Sequence, residues 1–270
     1  MKILFFCPRW GQEQVEWDVF LQNVKQAGYD GVEASLPIDE KRKALILNSL
    51  KKHGLQFIAQ HYETIEKGFD LHYQQFEQRL RNLATAKPLF INSQTGKDYY
   101  TFDQNKQLID LARNISRDTA IKIVHETHRG KFSFAAHITK LYFDKIEDLR
   151  ITLDISHWCN TAETFLHDQL GAVDLAISRT DHIHSRVGYP EGPQVSDPRA
   201  PEWDDALSFH LQCWDKVHAL KQKENTEYLT ITSEFGAPPY LPLLPYTKQP
   251  VVSQWDINVF MMNLLKERYK

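Results

Sequence analysis

Cysteine is scarce. Cys7, Cys159 and Cys213 are the three in 270 residues, odd in number, far apart and without metal-type spacing. This excludes a disulfide framework and points to buried packing residues in a reducing compartment. An excess of charge is missing too. The formal net charge is −3, with no basic stripe, so no nucleic-acid partner is expected. No apolar run approaches the ~20 residues of a membrane span. Ile3–Cys7 is too short for the apolar core of a secretion signal. The expectation is a soluble, cytoplasmic protein without a membrane partner. There is no low-complexity tract, charge run or glycine-rich phosphate loop, and no lysine cluster at the strand ends. No domain boundary is visible, so residues 1–270 are expected to form one domain.

What is present is an alternation of strand-like and helical segments. Lys2–Cys7 is a strand, followed by a helical stripe over 12–27 through Trp17, Phe20, Leu21 and Val24 and by Gly28 where a helix-ending glycine belongs. Strands are expected over 31–36, 55–61, 88–93, 121–126, 151–154, 181–185 and 228–234. Helices are expected over 38–53 (stopped by Gly54), 70–86, 102–115, 133–143, 161–177, 203–221 and 253–266. Eight βα units in succession predict an α/β fold with a parallel sheet closed as a (β/α)8 TIM barrel, for which roughly 250 residues is typical.

Four of the strands end in side chains suited to a hard metal: Glu126, Asp154, His184 and Glu234. In a closed parallel barrel these four meet at one mouth. Three carboxylates there repel one another unless a cation neutralises them, and with an imidazole they suit one oxygen-preferring divalent ion. In His182-Ile183-His184 the period of two turns both imidazoles inward; His184 is expected as ligand and His182 as support one layer down. His157, three residues past Asp154, is expected at the rim within reach of a bound substrate. Arg186 is expected to hold a substrate hydroxyl or carboxylate. Glu33, His61, Asn92 and Gln94 are expected as a polar lining, and Trp10 as an apolar wall for a sugar face. Two loops leave strand C-terminal ends, 186–202 and the proline-rich 237–250, whose rings fix φ.

These segments, in order, resemble the xylose-isomerase-like TIM-barrel superfamily, specifically its sugar isomerase/epimerase branch. The matching pieces are Gly28-Tyr29-Asp30-Gly31-Val32-Glu33, His125-Glu126-Thr127-His128-Arg129, Asp154-Ile155-Ser156-His157, His182-Ile183-His184-Ser185-Arg186 and Glu234-Phe235-Gly236. The resemblance spans nearly the whole chain, and its specificity lies in order and spacing. It implies one Mn²⁺, Mg²⁺, Co²⁺ or Zn²⁺ ion, manganese favoured, held by Glu126, Asp154, His184 and Glu234. It also implies that Glu126 and Glu234 act as opposed proton-transfer groups, with His157 and Arg186 contacting substrate oxygens. The implied reaction is proton abstraction α to a carbonyl through a metal-stabilised enediolate. Two bases on opposite faces epimerise; one base serving both carbons isomerises an aldose and a ketose.

The implied partner is a small sugar or sugar-derived substrate, and a homo-oligomer is the general prior for such enzymes. A dehydratase or lyase of the inosose or dehydroshikimate type would reuse the same metal and base. A non-catalytic sugar-binding barrel would need no opposed glutamates. An endonuclease-IV-like enzyme would need extra histidines where this chain has Asn92-Ser93-Gln94 and Asp197-Pro198-Arg199.

Overall fold

The computed structural model describes residues 1–270. Strands β1 (Lys2–Pro8), β2 (Gly31–Ala34), β3 (Gln56–His61), β4 (Ile91–Ser93), β5 (Ile123–Glu126), β6 (Ile151–Leu153), β7 (Thr180–His184) and β8 (Tyr228–Thr232) pair in that order. All neighbours are parallel, and β8 returns to β1, so the barrel closes. The expected TIM barrel is thus the observed one.

The helices are α1 (Trp17–Ala27), α2 (Glu40–His53), α3 (Phe69–Ala84), α4 (Phe102–Thr119), α5 (Ala136–Lys145), α6 (Ser156–Ala162), α7 (Leu170–Ser178), α8 (Asp204–Lys223) and α9 (Gln254–Arg268). Gly28 and Gly54 end α1 and α2 in the left-handed conformation, with φ of 90° and 63°, which glycine adopts without a Cβ penalty. The helix expected over 161–177 is instead two, α6 and α7. Glu163 and Leu166 take positive φ between them, and α6 starts at Ser156, two residues past Asp154. Segment 12–16 is not helical either, because Glu16 caps α1 by accepting from the backbone N–H of Asp18 and Val19.

Two apolar layers fix the side-chain parity of the strands. Phe6, Ile58, Phe90 and Val124 form a small cluster of their own, the floor inside the barrel. Most of the remaining buried apolar side chains join one larger cluster that includes strand residues such as Val32, Ile91 and Ile231 and helix residues such as Leu80, Ile109 and Trp214. Counting in twos from the floor, Ile58 leads to Gln60, Phe90 to Asn92 and Val124 to Glu126. Apolar burial at the bottom of the barrel therefore determines which polar residues reach its mouth. All three cysteines are free and buried, as expected. No helix is long and apolar enough to cross a membrane.

Candidate metal centre

Glu126 closes β5, Asp154 and Glu234 stand one and two residues beyond β6 and β8, and His184 closes β7. One ligand-type atom from each of the four lies within 4.8 Å of the others. All four are buried, three at 0% exposure and Glu234 at 3%. Burying three carboxylates together is costly unless positive charge accompanies them. Part of that charge comes from the protein. Arg186, 1% exposed, donates through Nη2 to Oδ2 of Asp154 and through Nε to Ser156 Oγ at 3.2 Å. Burial pulls the Arg186 guanidinium down, but Asp154 and Glu234 outweigh it and hold it above its ordinary value.

His184 carries the clearest sign of a ligand. Its Nε2 lies 3.1 Å from both carboxylate oxygens of Glu33, which fixes the ring from behind. Its Nδ1 faces the cluster, 2.8 Å from Glu234 Oε2, yet at an angle that leaves it without a hydrogen-bond partner. A carboxylate behind an imidazole whose other nitrogen faces a cluster of carboxylates is the arrangement of a metal-binding histidine and its outer shell. The donor set, three carboxylates and one imidazole, fits a divalent ion of the Mg²⁺ or Mn²⁺ kind.

The charges are uneven. Burial pushes Glu126 up to about 8, the pull of His184 opposing it and the neighbouring acids adding to it. Burial also raises Asp154, against Arg186 and His184. Glu234 and Glu33 feel the same burial, but His184 with Arg186 holds Glu234 below the ordinary range, and His184 with His182 holds Glu33 well below it. Burial would lower His184; Glu234, Glu33 and Glu126 outweigh it, and it stands well above its usual value.

The other expected site residues divide sharply. Trp10 lines the cavity above the cluster, edge-on to Tyr240 at 4.9 Å. Gln94 lines the same cavity and reaches Glu126 at 3.3 Å. Arg186 lines it too, though most of its fork is spent on Asp154 and Ser156. Glu33 and Asn92 sit behind the ligands. Glu33 accepts from Thr232 Oγ1 at 2.5 Å and Asn92 Nδ2 at 2.8 Å; Asn92 also donates to Glu126 at 3.2 Å. His182 supports from the layer below, with Nε2 3.2 Å from Glu33.

Two residues are not where a substrate contact is expected. His157 is not at the rim: it is fully buried, with Nε2 2.7 Å from Arg186 Nη2 and its ring against His128 at 4.0 Å. The cause is α6, which starts at Ser156 and turns the side chain behind Arg186. His61 points away from the mouth, toward Phe76 of α3, and bonds Ser93 Oγ and Thr64 Oγ1 at 3.0 and 2.7 Å.

In its place stands Gln60, whose Nε2 donates to Glu234 Oε1 at 2.8 Å. The pairing of Gln60 with Asn92 across β3 and β4 puts them in one layer. The parity set by Ile58 and Val124 is the signal that identifies Gln60, and likewise His128, two residues past Glu126. The cavity over the cluster measures about 550 Å³, and Gln60, His128, Lys131 and Tyr240 are among its walls. Burial brings the Lys131 ammonium down to about 8, Lys97 adding to the effect.

Beyond Arg186, loop 186–202 buttresses rather than lines. Gln194 takes both backbone groups of Gly236, accepting from its N–H at 2.7 Å and donating to its carbonyl at 3.3 Å. Gly236 in turn has Trp10 against it, and an added Cβ would lie 2.0 Å from the indole. The proline-rich loop contributes Tyr240, whose ring faces the guanidinium groups of Arg129 and Arg186 at 5.0 Å each.

No protein-family model matches this chain, and no curated protein does. Solved structures do. A probable 3-DHS dehydratase involved in petrobactin synthesis, from Bacillus anthracis, aligns over 99% of this chain and 100% of its own at 15% identity and a TM-score of 0.61. The 3-keto-D-glucoside 4-epimerase of E. coli aligns over 98% and 100% at 12% identity and a TM-score of 0.63. A xylose isomerase-like TIM barrel protein from Mycobacterium smegmatis, in complex with magnesium, aligns over 99% and 98% at 8% identity and a TM-score of 0.60. The fold of this chain is that of the xylose isomerase-like TIM barrels.

Proposed function

We propose that this protein is a divalent-metal-dependent isomerase or epimerase of a free sugar or a closely related polyol derivative. The observation that carries the reading is the convergence of Glu126, Asp154, His184 and Glu234 beneath an open cavity, with His184 Nδ1 turned toward Glu234 and Glu126. A single divalent ion held by these four would polarise a carbonyl and stabilise the negative charge that develops on its oxygen.

The side chains then divide the work. Glu126 and Glu234 come from β5 and from beyond β8, separate staves of the barrel, so they can face opposite sides of one substrate carbon. In an epimerase one carboxylate takes the carbon-bound proton and the other returns a proton to the opposite face; in an isomerase the first carboxylate passes it to the neighbouring carbon. Gln60 fixes Glu234 through Oε1, and Asn92 and Gln94 fix Glu126. Arg186 holds Asp154, with His157 behind it as a positioning residue. Trp10 and Tyr240 offer flat apolar faces to a sugar ring, and His128 and Lys131 offer donors to its hydroxyls. The magnesium-bound neighbour supports a hard ion.

A dehydratase would reuse the same base. Lys131 favours that second reading, because an ammonium with a pKa of about 8 beside the cavity can protonate a departing hydroxyl.

The test is metal stoichiometry after Mn²⁺ reconstitution, followed by incubation with ketoses and aldoses in D₂O. One ion per chain, abolished in Glu126→Gln, with deuterium entering recovered sugar at a carbon next to the carbonyl, is the expected result. Loss of water with formation of an enone-type absorbance selects the dehydratase. No metal uptake, or full turnover in Glu126→Gln, refutes both.

A further inference from the structure

The cavity above the metal centre has a neighbour. A second chamber of about 620 Å³ opens beside it over the ends of β1, β2 and β3, and the two share Trp10, Glu13, Gln60 and Tyr62. Gln60, which lines both, is the residue that bonds Glu234, so the two chambers adjoin at the metal centre. Each chamber falls within the roughly 300–1,000 Å³ of an ordinary small-molecule site, and one sugar ring fills only one of them.

The walls of the second chamber suit another ring. Trp10 and Trp17 supply aromatic faces, with Leu45 and Ile46 of α2 across from them. Arg9 also lines the chamber. It is 9% exposed, and its guanidinium lies over the rings of Trp17 and Phe20 at 4.4 and 4.6 Å. Its Nη2 donates to the carbonyls of Val15 and Glu13 at 2.5 and 3.3 Å, whereas Nη1 is buried with no partner. An unpaired buried donor costs stability, and a ligand hydroxyl or ring oxygen would satisfy it. The carboxylates of Glu13 and Glu16 on the same walls accept from hydroxyls and disfavour a second anion. Flat aromatic faces beside mixed donors and acceptors are how proteins hold neutral sugars.

We propose that the substrate is a two-unit glycoside: the reacting sugar sits at the metal centre, and a second, uncharged sugar ring lies in the chamber between Trp17 and Leu45. This assignment rests on the isomerase or epimerase reading for its first unit only.

The experiment is calorimetric titration of the Mn²⁺-loaded protein with D-fructose and with turanose, maltulose and isomaltulose. These three glucosyl-fructoses keep the free ketose carbonyl and carry a glucose ring at different oxygens. At least one is expected to bind more tightly than D-fructose by about tenfold or more. In Leu45→Arg, a helix-surface position 70% exposed and remote from the metal-facing side chains, that ratio is expected to fall to near one. Arg9→Gln is expected to reduce it in part.

Equal affinities, exclusion of all three disaccharides, or no sugar binding at all with the metal in place overturns the proposal. If no Mn²⁺ is taken up, the metal reading has failed, and the chamber is judged by tryptophan fluorescence of the metal-free protein. Isomaltulose binding that disappears in Leu45→Arg upholds the chamber on its own, and no binding refutes it.

Discussion

Loading the metal centre should expel close to two protons per ion at neutral pH. Without metal, Glu126 titrates at about 8, so at pH 7 about nine-tenths of the molecules carry a proton there. His184, held well above its usual value by Glu234, Glu33 and Glu126 against the effect of burial, carries the second. A metal ligand must lose its proton, and a divalent ion entering as two protons leave keeps the charge of the buried cluster constant. Calorimetric titration with Mn²⁺ at pH 7 in buffers of different ionisation enthalpy counts the protons directly.

The pH dependence has a definite sign. A carboxyl raised in the folded state costs the metal-free protein stability as pH climbs from the ordinary range, roughly 4.3, toward 8. A histidine raised in the folded state contributes stability below its unfolded value of about 6.5 and loses it as pH rises through the folded value. Both effects lower metal-free stability above pH 6.5, so the gain from metal grows with pH. At a free ion concentration of 100 Kd the gain is about 2.7 kcal/mol, or roughly 5–11 °C in Tm for a chain of this size. A calorimetric enthalpy independent of buffer, or a Tm gap that does not widen from pH 6 to pH 8, would refute the charge assignment.

Five further outcomes follow from particular contacts. Glu33→Gln removes the carboxylate behind His184 Nε2 and should weaken Mn²⁺ binding by about 10–100-fold, measured by the same titration, while one ion per chain is retained. Gly236→Ala drives a Cβ into Trp10 and should cost about 1–3 kcal/mol in a melting curve and lower kcat/KM through the displaced wall. Gln60→Ala should lower kcat/KM with little change in Tm. His61→Ala should do the reverse, losing about 1–3 kcal/mol because Ser93 and Thr64 are left without their buried partner. Asp181 accepts from Arg150 at 2.7 Å and pairs with Lys122 at 2.6 Å and Lys221 at 3.2 Å. Burial raises this carboxyl, but the cations hold it below the ordinary range, so its stabilisation is present above about pH 4 and lost below it. Asp181→Asn should abolish that acid limb in unfolding followed against pH.

Why some residues were legible in the sequence and others were not comes down to parity. The eight strands announce themselves as apolar runs, and the four ligand-type residues sit at run ends whatever the side-chain alternation, so both the barrel and the cluster can be read directly. The lining requires one more fact: which residues of each strand point inward. On β3 the choice between Gln60 and His61 is a choice between mouth and helix layer, and a histidine at the last position attracts attention for its chemistry alone. The floor decides it. Ile58 belongs to the interior cluster with Val124 and Phe90, so Gln60 shares the inward face with Asn92 and Glu126, and His61 must face α3.

Where the strand ends, parity stops and local structure takes over. Asp154 and His157 are three apart, a spacing that looks alike in a loop and in a first helical turn. The helix beginning at Ser156 buries His157 behind Arg186, and it ends where Glu163 and Leu166 turn to positive φ. Two non-glycine residues with positive φ leave no sequence signal as strong as a glycine would. Arg186 shows the same limit in energetic form. Its position two residues after His184 suggests a substrate contact, and it lines the cavity, but three buried carboxylates also call for a cation of the protein's own. The guanidinium that answers Asp154 is held there by that need. Its pairing with Asp154 is legible only by counting the buried charges as well as the distance to the rim.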